Sequence, residues 1–215
     1  MLDAEWVINS LQMLRRVHAK TFGANAHHFI LNNPASETEE VSAFESQHKI
    51  VLPRDYRHFL TAIGNGGAGP FYGVFPLGVM DDGSGLGPWN EHDGIVGDLA
   101  QPFPLTDKWN DLSGKPADDL QALDDAEYEE EMEKFEARYW GPFWVNGAIP
   151  ICHLGCALRI WLVVMDEQAG KLWYDARAEY GGLTPMTVED GSPLVFDKWY
   201  LDWLNQALRE AQLKD

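Results

Sequence analysis

A proline and a cluster of glycines bracket one short apolar stripe in this chain, and they limit its fold more than any other feature. Residues Leu52-Pro53-Arg54-Asp55-Tyr56-Arg57-His58-Phe59-Leu60-Thr61-Ala62-Ile63-Gly64-Asn65-Gly66-Gly67 read as a helix opened by proline and closed by a glycine-rich turn. Proline suits the first helical turn, where its missing N–H has no intrahelical partner to lose. Tyr56, Phe59, Leu60 and Ile63 fall on one face at helical spacing. Gly64, Gly66 and Gly67 end the helix, since glycine accepts the left-handed backbone that closes it. The stretch holds no nucleophile–base pair, no metal-ligand spacing and no phosphate loop. It predicts a scaffold rather than a chemistry, which points to a binding protein.

Periodicity supplies the other elements. Leu2, Trp6, Val7, Leu11, Leu14 and Val17 predict a first helix within residues 1–20. Thr21 to Pro34 reads as irregular. Ser36 followed by Glu39 is a capping box, placing Val41, Phe44 and His48 on one face of a second helix. Tyr72 to Leu77 reads as a strand. Gly78 to Pro116 is rich in Gly, Pro, Asp and Asn and reads as ordered loops pinned by Trp89, Phe103 and Trp109. Ala117 to Tyr139 reads as an amphipathic helix with Leu120, Leu123, Tyr128, Met132, Phe135 and Tyr139 on its inner side. Ala148 to Cys152 is a short strand. Leu158 to Met165, the turn Asp166 to Gly170 and Lys171 to Asp175 form a hairpin. Ser192-Pro193 opens a last helix with a wide apolar face from Phe196 to Ala211. The fold class predicted is α+β, with a mainly antiparallel sheet, helices on one face, N-terminal helices and a C-terminal helix. No repeat or dividing linker is visible, so residues 1–215 read as one domain with an extra N-terminal helix (1–20) and an insertion (78–147).

Composition narrows the partners. The formal net charge is -18, a field that repels phosphate backbones and excludes direct nucleic-acid binding. The same field attracts basic partners and speeds their association, while plain solubility explains it equally well. Two cysteines, Cys152 and Cys156, do not make a disulfide scaffold. Met1 to Trp6 lacks a basic segment followed by an apolar run, and no stretch is long enough to span a bilayer, so a cytoplasmic protein without membrane contact is expected.

Taken in order, Leu52-Pro53, Asp55-Tyr56, Phe59-Leu60 and Asn65-Gly66-Gly67 resemble the start of the SUKH superfamily, Smi/Knr type. Gly73 to Leu77 is similar to its first strand. Ala148-Ile149-Pro150-Ile151 with Gly155-Cys156 is similar to its mid-chain strand and turn. Trp161 to Met165 and Lys171 to Asp175 resemble its central hairpin, and Phe196 to Leu204, with Trp199 and Trp203, its aromatic closing helix. The resemblance covers about Ser36 to Leu77 and Ala148 to Leu208. It implies a non-catalytic protein-binding module: in bacteria commonly an immunity protein that neutralises a toxin, often a nuclease; in fungi a regulator of cell-wall synthesis and signalling. It implies no catalytic residue and no cofactor.

The sharpest candidate for partner binding is the acidic helix, with Asp118, Asp119, Asp124, Asp125, Glu127, Glu129, Glu130 and Glu131. Such a face matches the basic cleft a nuclease needs for its polyanionic substrate, and it also matches an ordinary solvated face. The expected partner is therefore a protein, a basic toxin domain. The open face of the sheet is an equal rival as the contact. Met80 to Gly85 lacks the ligand spacing of a calcium loop. Cys152, His153 and Cys156 lack the second ligand pair a zinc site needs, and His27-His28 does not supply it, so no metal is expected. His48 and His58 read as core-edge residues. Trp89, Trp109, Trp140 and Trp144 read as loop anchors, with a ligand cleft as the alternative. A regulatory adaptor, and a hydrolase using carboxylates of residues 78–147, are the competing functions.

Overall fold

The computed structural model describes residues 1–19, 28–81, 85–89, 95–116 and 125–212. Helix α1 (Ala4–Arg16) is capped by Asp3, whose carboxylate accepts from the Trp6 N–H at 3.0 Å. Leu2, Val7, Leu11 and Leu14 are buried. Trp6 and Val17 are 38% and 51% exposed, against expectation. Trp6 sits one residue off the stripe, and the helix ends before Val17 completes a further turn.

The second helix begins with a wide π-type turn (Glu37–Val41) and continues as α2 (Ser42–His48). Ser36 Oγ accepts from the Glu39 N–H at 3.2 Å, as a capping box requires, but the Ser36 N–H bonds Glu40 Oε2 at 2.7 Å. The wide turn shifts the reciprocal carboxylate by one residue. Helix α3 (Arg54–His58) likewise widens into a π-type turn (Phe59–Ile63), closed by the Gly64 N–H bonding the Phe59 carbonyl at 2.9 Å. Tyr56, Phe59, Leu60 and Ile63 are all buried as the stripe predicts.

One of the three glycines acts differently from the sequence expectation. Gly64 is extended (φ 178°), so it does not close the helix in the left-handed region. A Cβ there would lie 2.9 Å from the Asn32 carbonyl oxygen, so close approach is what Gly64 allows. Gly66 (φ 81°) and Gly67 (φ 103°) do need positive φ, and a Cβ would meet Val74 O at 2.7 Å and Ile30 O at 2.6 Å respectively. They let Leu31, Gly67 and Val74 cross at backbone contact through successive single β-bridges. Asn65 pins the turn, its side chain accepting from the Leu77 N–H at 2.8 Å.

A four-stranded antiparallel sheet runs β3 (Ala148–Gly155), β4 (Leu158–Val163), β5 (Leu172–Asp175) and β6 (Leu183–Pro185) in that order. Pro150 sits in the edge strand β3, opposite Trp161, where a missing N–H is tolerated. Residues 72–77 are not a regular strand. Val74 alone bridges Cys152, because Phe71 and Gly73 take positive φ and Pro76 has no N–H to give. Within the expected loops a small ribbon forms instead, β1 (Val79–Asp81) against β2 (Leu86–Pro88). Ser192-Pro193 does not open the last helix: Val195 still bridges Lys171, and the C-terminal helix, α5, spans Phe196–Gln212.

Alternation along the strands divides the core. Ile160, Leu162 and Leu172 face α1, α3 and α5 in one apolar cluster, where Phe196 and Tyr200 meet Tyr56 and Phe59 at ring separations near 5 Å. Trp161, Val163, Trp173 and Leu183 face the other way, against Phe103, Leu105 and Val145. The architecture is α+β, with helices at both the N- and C-terminal ends of the chain and a mainly antiparallel sheet.

Candidate partner-binding surface

The acidic helix is present as α4 (Asp125–Tyr139). Asp118, Asp119 and Asp124 lie outside the described residues, as does the side chain of Asp125. Phe135 and Tyr139 are buried, and Tyr128 and Met132 are half-buried beside them at helical spacing. Glu127, Glu129, Glu130, Glu131, Glu133 and Glu136 are exposed. Lys134 Nζ lies 2.7 Å from Glu130 and 2.8 Å from Glu131, and its hydrogen bond holds the Glu130 carboxyl below the usual range. Such exposed pairs contribute little stability. Arg138 turns away from the glutamates to Asp111, at 2.7 Å, and to Ser113. The outer face therefore stays strongly negative.

The mounting of this helix was not legible in the sequence. Tyr139 donates to Asn110 Oδ1 at 2.7 Å, and Asn110 Nδ2 donates to the Tyr180 carbonyl at 2.9 Å. Trp109 lies between Tyr139 and Trp144, with ring centroids 5.3 and 4.0 Å away. Its backbone exchanges both hydrogen bonds with Leu183, at 2.9 and 2.8 Å, adding a single bridge to the outer edge of β6. That approach demands Gly182: a Cβ there would fall 2.0 Å from the Trp109 carbonyl. Beneath it, Asp175 accepts from Arg177 Nε at 3.0 Å, from Arg177 Nη2 at 2.7 Å and from Trp161 Nε1 at 2.9 Å, with Asp175 2% and Arg177 3% exposed. The Arg177 guanidinium also lies 5.3 Å from the Trp140 ring centroid. The acidic face is thus held on the sheet rather than on a loose loop.

Two rival surfaces look different in the structure. The second sheet face is not open: Phe103, Leu105 and Val145, with Trp109 and Trp144, cover it. The tryptophans of residues 78–147 hold loops together. Trp89 is buried edge-on against Phe44, Trp109 stacks on Trp144, and Trp140 underlies Arg177.

Leu52, Tyr56, Phe59 and Trp199 are buried, Pro53 caps α3, and Trp203 is half-buried on α5. Cys152 is buried in β3, its thiol donating to the Pro70 carbonyl at 3.4 Å, and burial pushes its pKa up. Cys156 is exposed in the adjoining turn. His153 packs on Tyr72 with centroids 5.6 Å apart, and partial burial lowers its pKa; the same cause lowers that of His48, which lies against Phe44. His58 bonds the Leu2 carbonyl at 3.0 Å. His27 and residues 82–84 lie outside the described residues. Among the described residues no group of three His, Cys, Asp or Glu side chains could hold a metal ion, and no helix is long and apolar enough to cross a membrane.

The model of the SMI1/KNR4 family (SUKH-1) matches residues 35–185, more than half of the chain. The chain belongs to that family. SUKH-1 proteins are immunity or regulatory proteins, generally without enzymatic activity, and the family indicates a module that works through protein–protein contact. The SUKH-1 match takes in α2, α3 and the whole sheet, together with α4 and its mounting. It leaves out α1 and the aromatic helix α5. No curated protein and no solved structure matches the chain.

Proposed function

We propose that this SUKH-1 chain is an immunity protein that neutralises a basic toxin domain by stoichiometric binding, in the cytoplasm, with the outer face of α4 as a principal contact. One observation carries the reading. Six exposed glutamates stand on a helix whose inner side is fixed by Phe135, Tyr139, Asn110 and Trp109. The charge steers a basic partner from a distance, and a mounted helix then meets a basic cleft with little further ordering cost. Residues 78–147 are then an elaboration of one SUKH-1 domain that presents this face. The reading favours occlusion of a nucleic-acid-binding groove over any turnover by the protein itself.

The test uses a basic toxin domain captured by this chain in a pull-down from its source cell. A variant with Glu127, Glu129, Glu130, Glu131, Glu133 and Glu136 changed to Gln is compared with the parent by stopped-flow association at several salt concentrations. The expected result is an association rate lower by roughly tenfold at low salt, with a shallower salt dependence than the parent's. An unchanged rate with an unchanged salt slope removes α4 from the contact.

A further inference from the structure

The last helix, which the family match does not reach, forms one wall of a second surface. Between α5 and the Pro70–Phe71 turn lies a groove of roughly 360 Å³. Phe71, Trp199, Trp203 and Ala207 form its apolar wall. The two charged residues that line it, Asp202 and Glu210, are both acidic. Trp203 is half-buried in this wall, its ring stacked 6.4 Å from that of Phe29.

We infer that this groove docks an extended segment of a protein partner bearing an arginine or lysine beside an apolar side chain. The apolar side chain packs on Phe71 and Trp199. The cation lies over indole and reaches Asp202 and Glu210, a pairing strengthened by the aromatic wall. Asp202 now pairs with Lys198 at 2.5 Å, but both groups are about half exposed, and an exposed ion pair of this kind exchanges at small cost. Glu210 accepts only a neutral Gln206 amide, at 2.9 Å. Charge also sets the occupant apart from a second copy of this chain: at a net -18, self-docking would place acid on acid. The inference is independent of the α4 contact, since the two surfaces share no residue.

The probe is the peptide acetyl-Leu-Arg-Leu-amide, with its citrulline counterpart as an uncharged match in shape. Binding is followed through tryptophan indole N–H signals in ¹H–¹⁵N spectra of the full chain, with Trp203 assigned by Trp203→Phe. Saturable shifts of the Trp199 and Trp203 signals are expected, with the arginine peptide binding about fivefold more tightly. Asp202→Asn with Glu210→Gln, both changes near the surface, is expected to erase that preference while leaving other amide signals in place. Silent Trp199 and Trp203 signals, or equal affinity for the two peptides, overturn the inference. So do the same shifts appearing on raising protein concentration alone, which would make the occupant a second copy.

Discussion

Two residues far from any surface decide whether the acidic face has a foundation. Asp175 and Arg177 are buried together, with Trp161 completing the carboxylate's hydrogen bonds. A buried pair of this kind is weak evidence for net stability, but removing one partner strands the other charge. Asp175→Ala is expected to cost about 3–5 kcal/mol, read as a lower denaturant midpoint in urea unfolding. A midpoint near the parent's would mean that water reaches Arg177. None of this was legible beforehand, because two residues of opposite charge after a strand carry no sign of burial. Gly66 and Gly67 were legible, since positive φ at the end of a helix leaves a glycine signature. Gly64 was misread for the same reason: its need is space, and space is set by Leu31 and Asn32, more than thirty residues earlier.

At the scale of elements, hydrophobic spacing gave α1, α3 and the β4–β5 hairpin close to their observed bounds, and α5 apart from its start. It gave the inner stripe of α4 as well, and that stripe is what holds the helix. Phe135 is buried between Tyr139 and Tyr180 at centroid distances of 5.1 and 6.1 Å. The glutamates repel one another along the helix, so α4 depends on packing more than on its own propensity. Phe135→Ala is expected to cost about 3–5 kcal/mol. In hydrogen exchange the α4 amides should lose protection well before those of α5; uniform loss across both helices would show that α4 has no separate opening. The two π-type turns, the β1–β2 ribbon and β6 escaped sequence reading. Each is built of pieces three to five residues long, too short for a period to register.

For the whole molecule, the surplus of 34 acidic over 16 basic residues sets a self-repulsion that opposes compactness. The melting temperature is expected to rise by a few degrees between about 10 and 300 mM sodium chloride, as the Debye length shortens several-fold. A flat or falling curve would mean that local ion pairs outweigh the global field. The fold class was legible because helices and strands segregate along the chain. The covering of the second sheet face was not, since Phe103 and Leu105 sit in irregular backbone and Val145 in a single 3-10 turn, with no periodic mark.

The single bridges at the two margins of the sheet have a further effect. Val74 lies along β3 and Trp109 along β6, so each outer strand already meets backbone from its own chain. A stray strand from a neighbouring molecule finds those positions taken. Crowded in a cell or concentrated in a tube, such a chain resists zipping onto copies of itself at those positions.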